Sequence, residues 1–209
     1  QVLINGCLGI IKPGQMITTK YSIPIIYIPK PRIYTIDNIV KVSTQHTSNC
    51  TSCTTTINAV KLNAENQCNV ERNKGTFTFT ISNVDHSPDT SVNIMDYLHI
   101  PSGIALKFKD FGGCTAVFDD KRKCVPLDTN IIGPKNIIIA CRDVRILEDS
   151  CIHKTITFIV ISIKIVRKAS IVNTLKSISL AKPKSQILLG TENLPITSTI
   201  DVLLNVKCK

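Results

Sequence analysis

The chain has 209 residues, enough for one sizeable domain or one domain with a smaller appendage, because a chain of this length buries roughly 70% of its unfolded surface. Its formal net charge of +10 suggests an anionic partner, but the lysines are scattered and aromatic residues reach only 5%. The interleaved basic and aromatic platform of single-strand binders is therefore absent. We expect no nucleic acid partner and keep an anionic cell-wall polymer as an open alternative.

The side-chain composition favours strands. Isoleucine, valine and threonine dominate, and branching at Cβ restricts the side-chain torsion in a way that suits a pleated sheet. The longest apolar run, residues 156–166, is interrupted by Ser162 and Lys164 and falls short of the roughly 20 residues of a membrane-spanning helix. We expect a soluble, mostly β chain without membrane insertion. Because Gln1 stands first, either a leader has been removed or the chain is a fragment.

The cysteine content indicates an oxidising environment. Nine cysteines in a chain of this size exceed what a reducing cytosol usually tolerates, which predicts a secreted protein of a cell or spore surface. All nine are candidate disulfide residues: Cys7, Cys50, Cys53, Cys68, Cys114, Cys124, Cys141, Cys151 and Cys208. Since the number is odd, at least one thiol is free or bonded to another chain.

The first segment, residues 1–45, is predicted to be an N-terminal arm or an edge strand. It contains Pro13, Pro24, Pro29 and Pro31, and proline removes a hydrogen-bond donor that a central strand needs. Such an arm can add as a strand to the sheet of the next subunit. The alternative is that this segment packs on its own domain.

Two polar stretches follow. Residues 43–56 are rich in serine and threonine, whose side chains compete with regular structure, and we predict a loop or domain boundary there. Residues 62–75 are rich in asparagine and end at Gly75, a pattern that allows a short helical turn.

The Cys50-x-x-Cys53 motif has two interpretations. Short spacing of soft thiolates suits zinc, with Cys68 and His46 as the other two ligands. The second half of this set lacks the usual paired spacing, so disulfides are favoured and no metal or cofactor is expected.

The clearest strand lies at residues 76–81, where threonine and apolar side chains alternate as in a half-buried strand. Further strands are predicted at residues 92–95 and 105–111, separated by a turn at 101–103. After these, residues 119–123 form a charged segment. Its flanking cysteines, Cys114 and Cys124, predict a hairpin-like loop clipped at its base.

The last third of the chain continues the strand pattern. In residues 155–166 the apolar positions change face midway, which predicts either burial on both faces or a bulge near Val160. Residues 171–180 read as another strand, and residues 187–189 and 199–207 as two further strand-like pieces.

Residues 75–83 and 92–103 resemble the conserved-repeat surface domain of bacteria and archaea, known as domain of unknown function eleven. In that family a strand ending in Asn precedes a strand with an Asp-x-Leu-Pro-x-Gly turn. Residues 156–166 and 169–174 look like its late strand and its small-x-Ile-x-Asn-Thr strand entry. Two features depart from the pattern: His99 and Ile100 extend the Leu-Pro junction, and the cysteines are not typical of the family.

The resemblance covers roughly residues 57–181 and implies an immunoglobulin-like antiparallel β-sandwich in a secreted, often filamentous or adhesive surface protein, with no catalytic residues to carry over. We therefore expect three parts: an arm or edge-strand segment over residues 1–45, a sandwich over 46–181 and a C-terminal strand extension over 182–209. The four histidines stand outside any nucleophile-elbow motif, and no phosphate loop occurs, so no enzyme is expected.

These features predict a homopolymeric subunit of a surface fibre, spore appendage or lattice. Cys7 and Cys208 lie near opposite ends of the chain and are candidates for an intermolecular disulfide between neighbouring subunits. The alternative for these cysteines is that Cys7 pairs within its own chain and another thiol is buried. The alternative function is a monomeric adhesin, or a viral or host-surface binding module, that recognises an anionic polymer or a receptor.

Overall fold

The computed structural model describes residues 10–20, 22, 24, 28, 30–43, 48–120, 122–163, 169–183, 186–192, 194–202 and 206–208, with backbone alone at 162, 163, 192, 202 and 206–208. In these ranges the protein is all-β, as the composition predicted, and forms two sheets that pack as a β-sandwich. The described part of the chain contains no helix with the length and apolarity needed to cross a membrane.

The regular secondary structure of the described residues consists of strands. In chain order they are β1 (Arg32–Ser43), β2 (Ser48–Glu71), β3 (Lys74–Asn83), β4 (Thr90–Ile100), β5 (Ile104–Asp110), β6 (Thr115–Phe118), β7 (Asn130–Ile132), β8 (Lys135–Ile146), β9 (Cys151–Ile163), β10 (Ala169–Leu180), β11 (Gln186–Glu192), β12 (Ile196–Val202) and β13 (Val206–Cys208).

The first sheet is seven-stranded, in the order β1-β2-β3-β9-β5-β7, with β11 beside β2. The second is six-stranded, in the order β13-β12-β10-β4-β8-β6. Strand pairs are antiparallel except that β11 runs parallel to β2. Among the described strands, the edges of the first sheet are thus β1, with β11 further along β2, at one side and β7 at the other.

The alternation predicted for residues 76–81 is confirmed in β3. Phe77, Phe79 and Ile81 are fully buried between the sheets, and the threonines between them are half-buried on the outer face. The ring of Phe77 packs against that of Phe158 on β9, with centroids 5.7 Å apart. Phe108 on β5 packs against Phe158 in turn, at 6.0 Å, so aromatic side chains from three strands form the centre of this sheet's core face.

Gly75 in β3 makes room for the ring of Phe158. A Cβ at this position would lie 2.6 Å from two atoms of that ring and 3.3 Å from Ile200 of the other sheet. We therefore expect Gly75→Ala to destabilise the fold by about 1–3 kcal/mol, because the ring must shift in a packed core. Urea unfolding measures this loss. Thr76→Ala, on the outer face of the same strand, is expected to cost less than about 1 kcal/mol, and an equal loss in the two variants would contradict the packing argument.

The loop predicted over residues 43–56 is wrong at residues 43 and 48–56, which are strand, and residues 44–47 lie outside the described residues. The helical turn predicted over 62–75 is also wrong. β2 runs without interruption from Ser48 to Glu71. Its first half pairs with β1 and its second half with β3, residue for residue. Cross-strand pairing satisfies the backbone along its whole length, which outweighs the local preference of serine, threonine and asparagine for turns.

The bulge predicted near Val160 is confirmed. In the pairing of β5 with β9, Ala105 lies opposite Ser162 and Leu106 opposite Val160, so Ile161 has no partner. Val160 is buried, whereas Ile161 is 42% exposed. The alternative, burial on both faces of this strand, is wrong because the bulge turns Ile161 outward.

The clip predicted between Cys114 and Cys124 is wrong. Cys114 is bonded to Cys141, with Cα atoms 4.5 Å apart, and Cys124 is an exposed free thiol. The reason is the register of β6 on β8, which sets Thr115 opposite Ala140 and brings the two bonded cysteines together. Backbone hydrogen bonds close the charged loop, among them one from the Phe118 N–H to the carbonyl of residue 123.

The strand predicted over residues 171–180 is confirmed as β10, which ends before Pro183. The piece at residues 187–189 belongs to β11. The piece predicted over 199–207 is divided: β12 ends at Val202 and β13 returns antiparallel to it.

A polar chain crosses the core between the sheets. Asp96 on β4 and Asn173 on β10 are fully buried, and Asn173 Nδ2 donates to Asp96 Oδ2 at 2.7 Å. From the first sheet, Asn66 Nδ2 donates to Asn173 Oδ1, also at 2.7 Å. Asp96 Oδ1 is buried and has no hydrogen-bond partner among the described residues. Burial raises the pKa of Asp96 to about 6, against the smaller lowering effect of the bond from Asn173.

Candidate assembly interface

β1 and the first half of β2 form an exposed two-stranded ribbon at the edge of the first sheet. Its register runs from Arg32 opposite Ala59 to Ser43 opposite Ser48. Among the described strands β1 pairs with β2 alone, and none of its 12 side chains is buried. We call Arg32–Ser43 together with residues 48–59 the ribbon.

One face of the ribbon is apolar. Directly opposed residues of an antiparallel pair point to the same side, so the even positions of β1 share a face with the odd positions of β2. Ile36, Val40 and Val42 lie on this face and are 46%, 41% and 45% exposed. Between Tyr34 and Val42, and opposite them as far as Ile57, this face carries no charged side chain. We call it the apolar face.

The other face of the ribbon is more polar. Asp37 and Lys41 lie here, and Thr54 Oγ1 donates to Asp37 Oδ1 at 2.7 Å. Two isoleucines, Ile33 and Ile39, are nevertheless 57% and 68% exposed on this side. An apolar strip in water normally marks a contact surface. The uncharged strip lies on the apolar face, because Asp37 and Lys41 flank Ile39 on the other face.

The two ribbon cysteines point in opposite directions. Cys53 lies opposite Asn38 on the apolar face, and Cys50 lies opposite Lys41 on the other face. Residues three apart on a strand alternate in face, so these thiols cannot bond each other or bind one ion together. Cys68 is itself disulfide-bonded. The zinc interpretation of this motif is therefore wrong; its fourth residue, His46, lies outside the described residues.

The structure assigns states to seven of the nine candidate cysteines. Cys114 and Cys141 are bonded to each other and Cys68 is bonded, while four thiols are free and exposed within the single chain: Cys50, Cys53, Cys124 and Cys151. Cys7 and the side chain of Cys208, the candidates for an intermolecular bond, lie outside the described residues. That bond stays a prediction.

One pairing that the sequence interpretation missed involves a thiol and an imidazole. Cys151 Sγ lies 3.5 Å from His153 Nε2, and His153 Nδ1 lies 2.9 Å from Thr80 Oγ1. The Cys-x-His spacing in the sequence could have predicted this pairing, because residues two apart on a strand point to the same face. Both side chains lie on the outer face of the first sheet.

Another exposed cluster contains groups that can ligate a metal. His86, Glu148 and Asp149 offer ligand atoms that all lie within 4.8 Å of one another. His86 Nδ1 is already hydrogen-bonded to Asp149 Oδ2 at 2.7 Å. Exposed acidic groups beside a histidine are common on protein surfaces, and no second feature of the described residues points to an ion here.

A cationic groove of about 830 Å³ adjoins the base of the ribbon. Its lining includes three cationic side chains, Lys30, Arg32 and Lys61, and one carboxylate, Asp85, which pairs with Lys61 at 2.8 Å. Arg32 in addition lies over the ring of Tyr34, 4.6 Å from its centroid. The groove therefore has the charge to receive an anion.

The fold and the ribbon define a class: a two-sheet β-sandwich with an exposed two-stranded ribbon at one edge. The chain matches no protein-family model, and no curated protein is significantly similar to it. The resemblance to the conserved-repeat surface domain, the immunoglobulin-like topology and the domain boundaries after residues 45 and 181 accordingly stay predictions.

Proposed function

We propose that the chain is a structural subunit of an extracellular surface fibre, appendage or lattice, and that it self-assembles by strand addition at the ribbon. The observation that carries this proposal is the apolar face beside the open edge of β1. An uncharged, apolar strand edge exposes unpaired backbone groups and side chains that another strand can cover. Soluble monomers usually protect such edges with charges or bulges. In β1 the charges are Arg32 at its first position and Asp37 and Lys41 on the other face, so the apolar face from Tyr34 to Val42 has none.

The position of the edges favours an open-ended assembly. β1 forms one edge of the first sheet and β7 the other. Contact between different edges of neighbouring subunits is head-to-tail, and a head-to-tail contact that does not close into a ring produces a filament. Ile132 in β7 is 65% exposed, so this second edge also offers an apolar side chain.

The exposed thiols favour a covalently reinforced assembly. Cys50 and Cys53 point to opposite sides of the ribbon, so each can meet a different neighbour. The sandwich already contains a disulfide between β8 and the residue before β6, which agrees with the oxidising setting that a surface protein requires.

The second candidate function is a monomeric binding module for an anionic polymer. The cationic groove favours it, because Lys30 and Arg32 line a concave surface at the ribbon base. Binding there would weaken steeply with salt. This candidate predicts dispersed particles in negative-stain microscopy, whereas the first predicts filaments or sheets.

Two adjacent substitutions test the ribbon. Val40→Lys places a charge on the apolar face, and Ile39→Lys places the same charge on the other face. In reductant, which prevents thiol linkage, we expect Val40→Lys to raise the concentration for half assembly about tenfold or more, since burying an unpaired ammonium costs at least 1–3 kcal/mol. Ile39→Lys should have a smaller effect.

Size-exclusion chromatography with light scattering, over a concentration series, measures this assembly, and negative-stain microscopy identifies its form. A wild-type chain that stays monomeric at all concentrations contradicts the proposed function. If the concentration for half assembly shifts equally in the two variants, the chain assembles but the apolar face is not its contact surface.

A further inference from the structure

Cys151 stands at the beginning of β9, on the outer face of the first sheet, with a base within reach. Its Sγ is 3.5 Å from Nε2 of His153, a hydrogen-bond distance for sulfur. The opposite ring nitrogen, Nδ1, is 2.9 Å from Thr80 Oγ1 on β3. A thiol, an imidazole and a hydroxyl that orients the imidazole thus form one connected row.

This row has the arrangement of an activated nucleophile. When the proton of the neutral ring is on Nδ1 and is donated to Thr80 Oγ1, Nε2 is free to accept the proton of the Cys151 thiol. The thiolate is the reactive form of cysteine, and an ordinary thiol is only a few per cent thiolate at neutral pH. A base held at the sulfur supplies the reactive form without a further conformational change.

The site is open to a partner. Cys151 and His153 are exposed, and Ser82, the residue opposite Cys151 on β3, is small. On the same outer face, Thr80 lies opposite His153 on one side and opposite Glu65 of β2 on the other, so the residues around the thiol are polar. A disulfide can therefore approach the sulfur without displacing an apolar side chain.

The other described histidines are engaged elsewhere. His86 is bonded to Asp149, and His99 Nδ1 lies 2.7 Å from Asn136 Oδ1. Cys124 is also exposed and free, and no described imidazole is bonded to it. Cys124 consequently serves as an internal reference for a thiol without a base.

We propose that Cys151 is a site of thiol–disulfide exchange, with His153 as its base, and that its ligand is an accessible disulfide of a small molecule or of another chain. His153 Nε2 takes the thiol proton, and the Cys151 sulfur attacks one sulfur of the disulfide. The new bond joins Cys151 to that sulfur as the old S–S bond breaks. The departing thiolate takes the proton from His153, so the step needs no oxidant beyond the disulfide.

The test uses oxidised glutathione and the native protein with its disulfides intact. After timed reaction at pH 7 and an acid quench, peptide mass spectrometry measures adduct formation at each free thiol. We expect Cys151 to react about tenfold faster than Cys124, because the imidazole of His153 lies at the sulfur and accepts the thiol proton as the sulfur attacks, whereas no described imidazole is bonded to Cys124. His153→Gln should lower the Cys151 rate to that of Cys124 and leave Cys124 unchanged.

Thr80→Val is the second variant, since it removes the orienting hydroxyl and retains the imidazole. It should lower the Cys151 rate by less than His153→Gln does, with thermal unfolding confirming that both variants fold. Equal rates at Cys151 and Cys124 in the wild-type chain, or an unchanged Cys151 rate in His153→Gln, would overturn the proposal.

A second experiment identifies the source of the disulfide. Protein that carries the glutathione adduct at Cys151 is mixed with unmodified protein. A dimer linked through Cys151 identifies another chain as a disulfide source, and glutathione transfer without a dimer identifies small disulfides. Either result upholds the exchange step, whereas no transfer at all contradicts it. The outcome does not depend on whether the chain assembles through its ribbon.

Discussion

Phe158→Ala is expected to lower the free energy of unfolding by about 3–5 kcal/mol, the largest loss that we predict for a single side chain of this protein. Phe158 is fully buried. Its ring contacts those of Phe77 and Phe108, and it covers the backbone at Gly75. Removing the ring leaves a cavity between three strands that the rigid sheet cannot close, so the lost contacts add to the lost burial.

Ile161→Ala is the matched control, because it truncates a large apolar side chain on the same strand. Ile161 is the unpaired residue of the bulge and is 42% exposed. Its truncation should change the free energy of unfolding by less than about 1 kcal/mol. Urea unfolding of both variants measures the difference. An m-value equal to that of the wild-type chain shows that a shifted midpoint reports a change in stability. Similar losses would mean that Phe158 does not sit in the centre of the core.

Asp96→Asn is expected to remove a pH dependence of stability on the order of 3 kcal/mol. The pKa of Asp96 is raised from 3.8 to about 6 in the folded chain, so the folded state holds this proton more tightly than the unfolded state. The resulting stabilisation is fully present below the unfolded pKa and is lost as the pH rises through about 6. The wild-type chain therefore loses stability relative to Asp96→Asn between pH 4 and pH 7.

The comparison is made between variants at each pH, because other carboxylates act in the opposite direction. Asp89 accepts a hydrogen bond from the Glu148 backbone N–H and another from Arg145, and both lower its pKa. Asp89→Asn should accordingly remove a stabilisation that is present at neutral pH and lost on acidification. Urea unfolding at several pH values measures both variants. A constant difference between the wild-type chain and Asp96→Asn would show that folding does not raise the pKa of Asp96.

Several features of the fold could be predicted from local patterns. The alternation in β3 and the change of face in β9 both reflect the two-residue period of a strand, which short stretches of sequence contain in full. The same period predicted either burial on both faces or a bulge near Val160, and the pairing of β5 with β9 decided for the bulge, whose unpaired residue is Ile161. Strand content followed from the β-branched composition.

The extent of β2 and the pairing of the cysteines could not be predicted in this way. Residues 48–56 favour turns locally and become a strand because β1 pairs with them. Cys114 meets Cys141 rather than Cys124 because β6 pairs with β8, a contact between residues far apart in sequence. Such pairings depend on strand order, which the local period does not contain.

The sequence by itself determined that this protein is built of strands, where the half-buried strand at residues 76–81 lies, and where β9 changes face, because side-chain branching and the strand period act over a few residues. Only the tertiary structure decided which surfaces stay open. The ribbon is exposed because β1 is the last strand of its sheet, and His153 meets Thr80 because β9 pairs with β3. Both result from the order in which distant strands pack, which is set by the burial of the whole core.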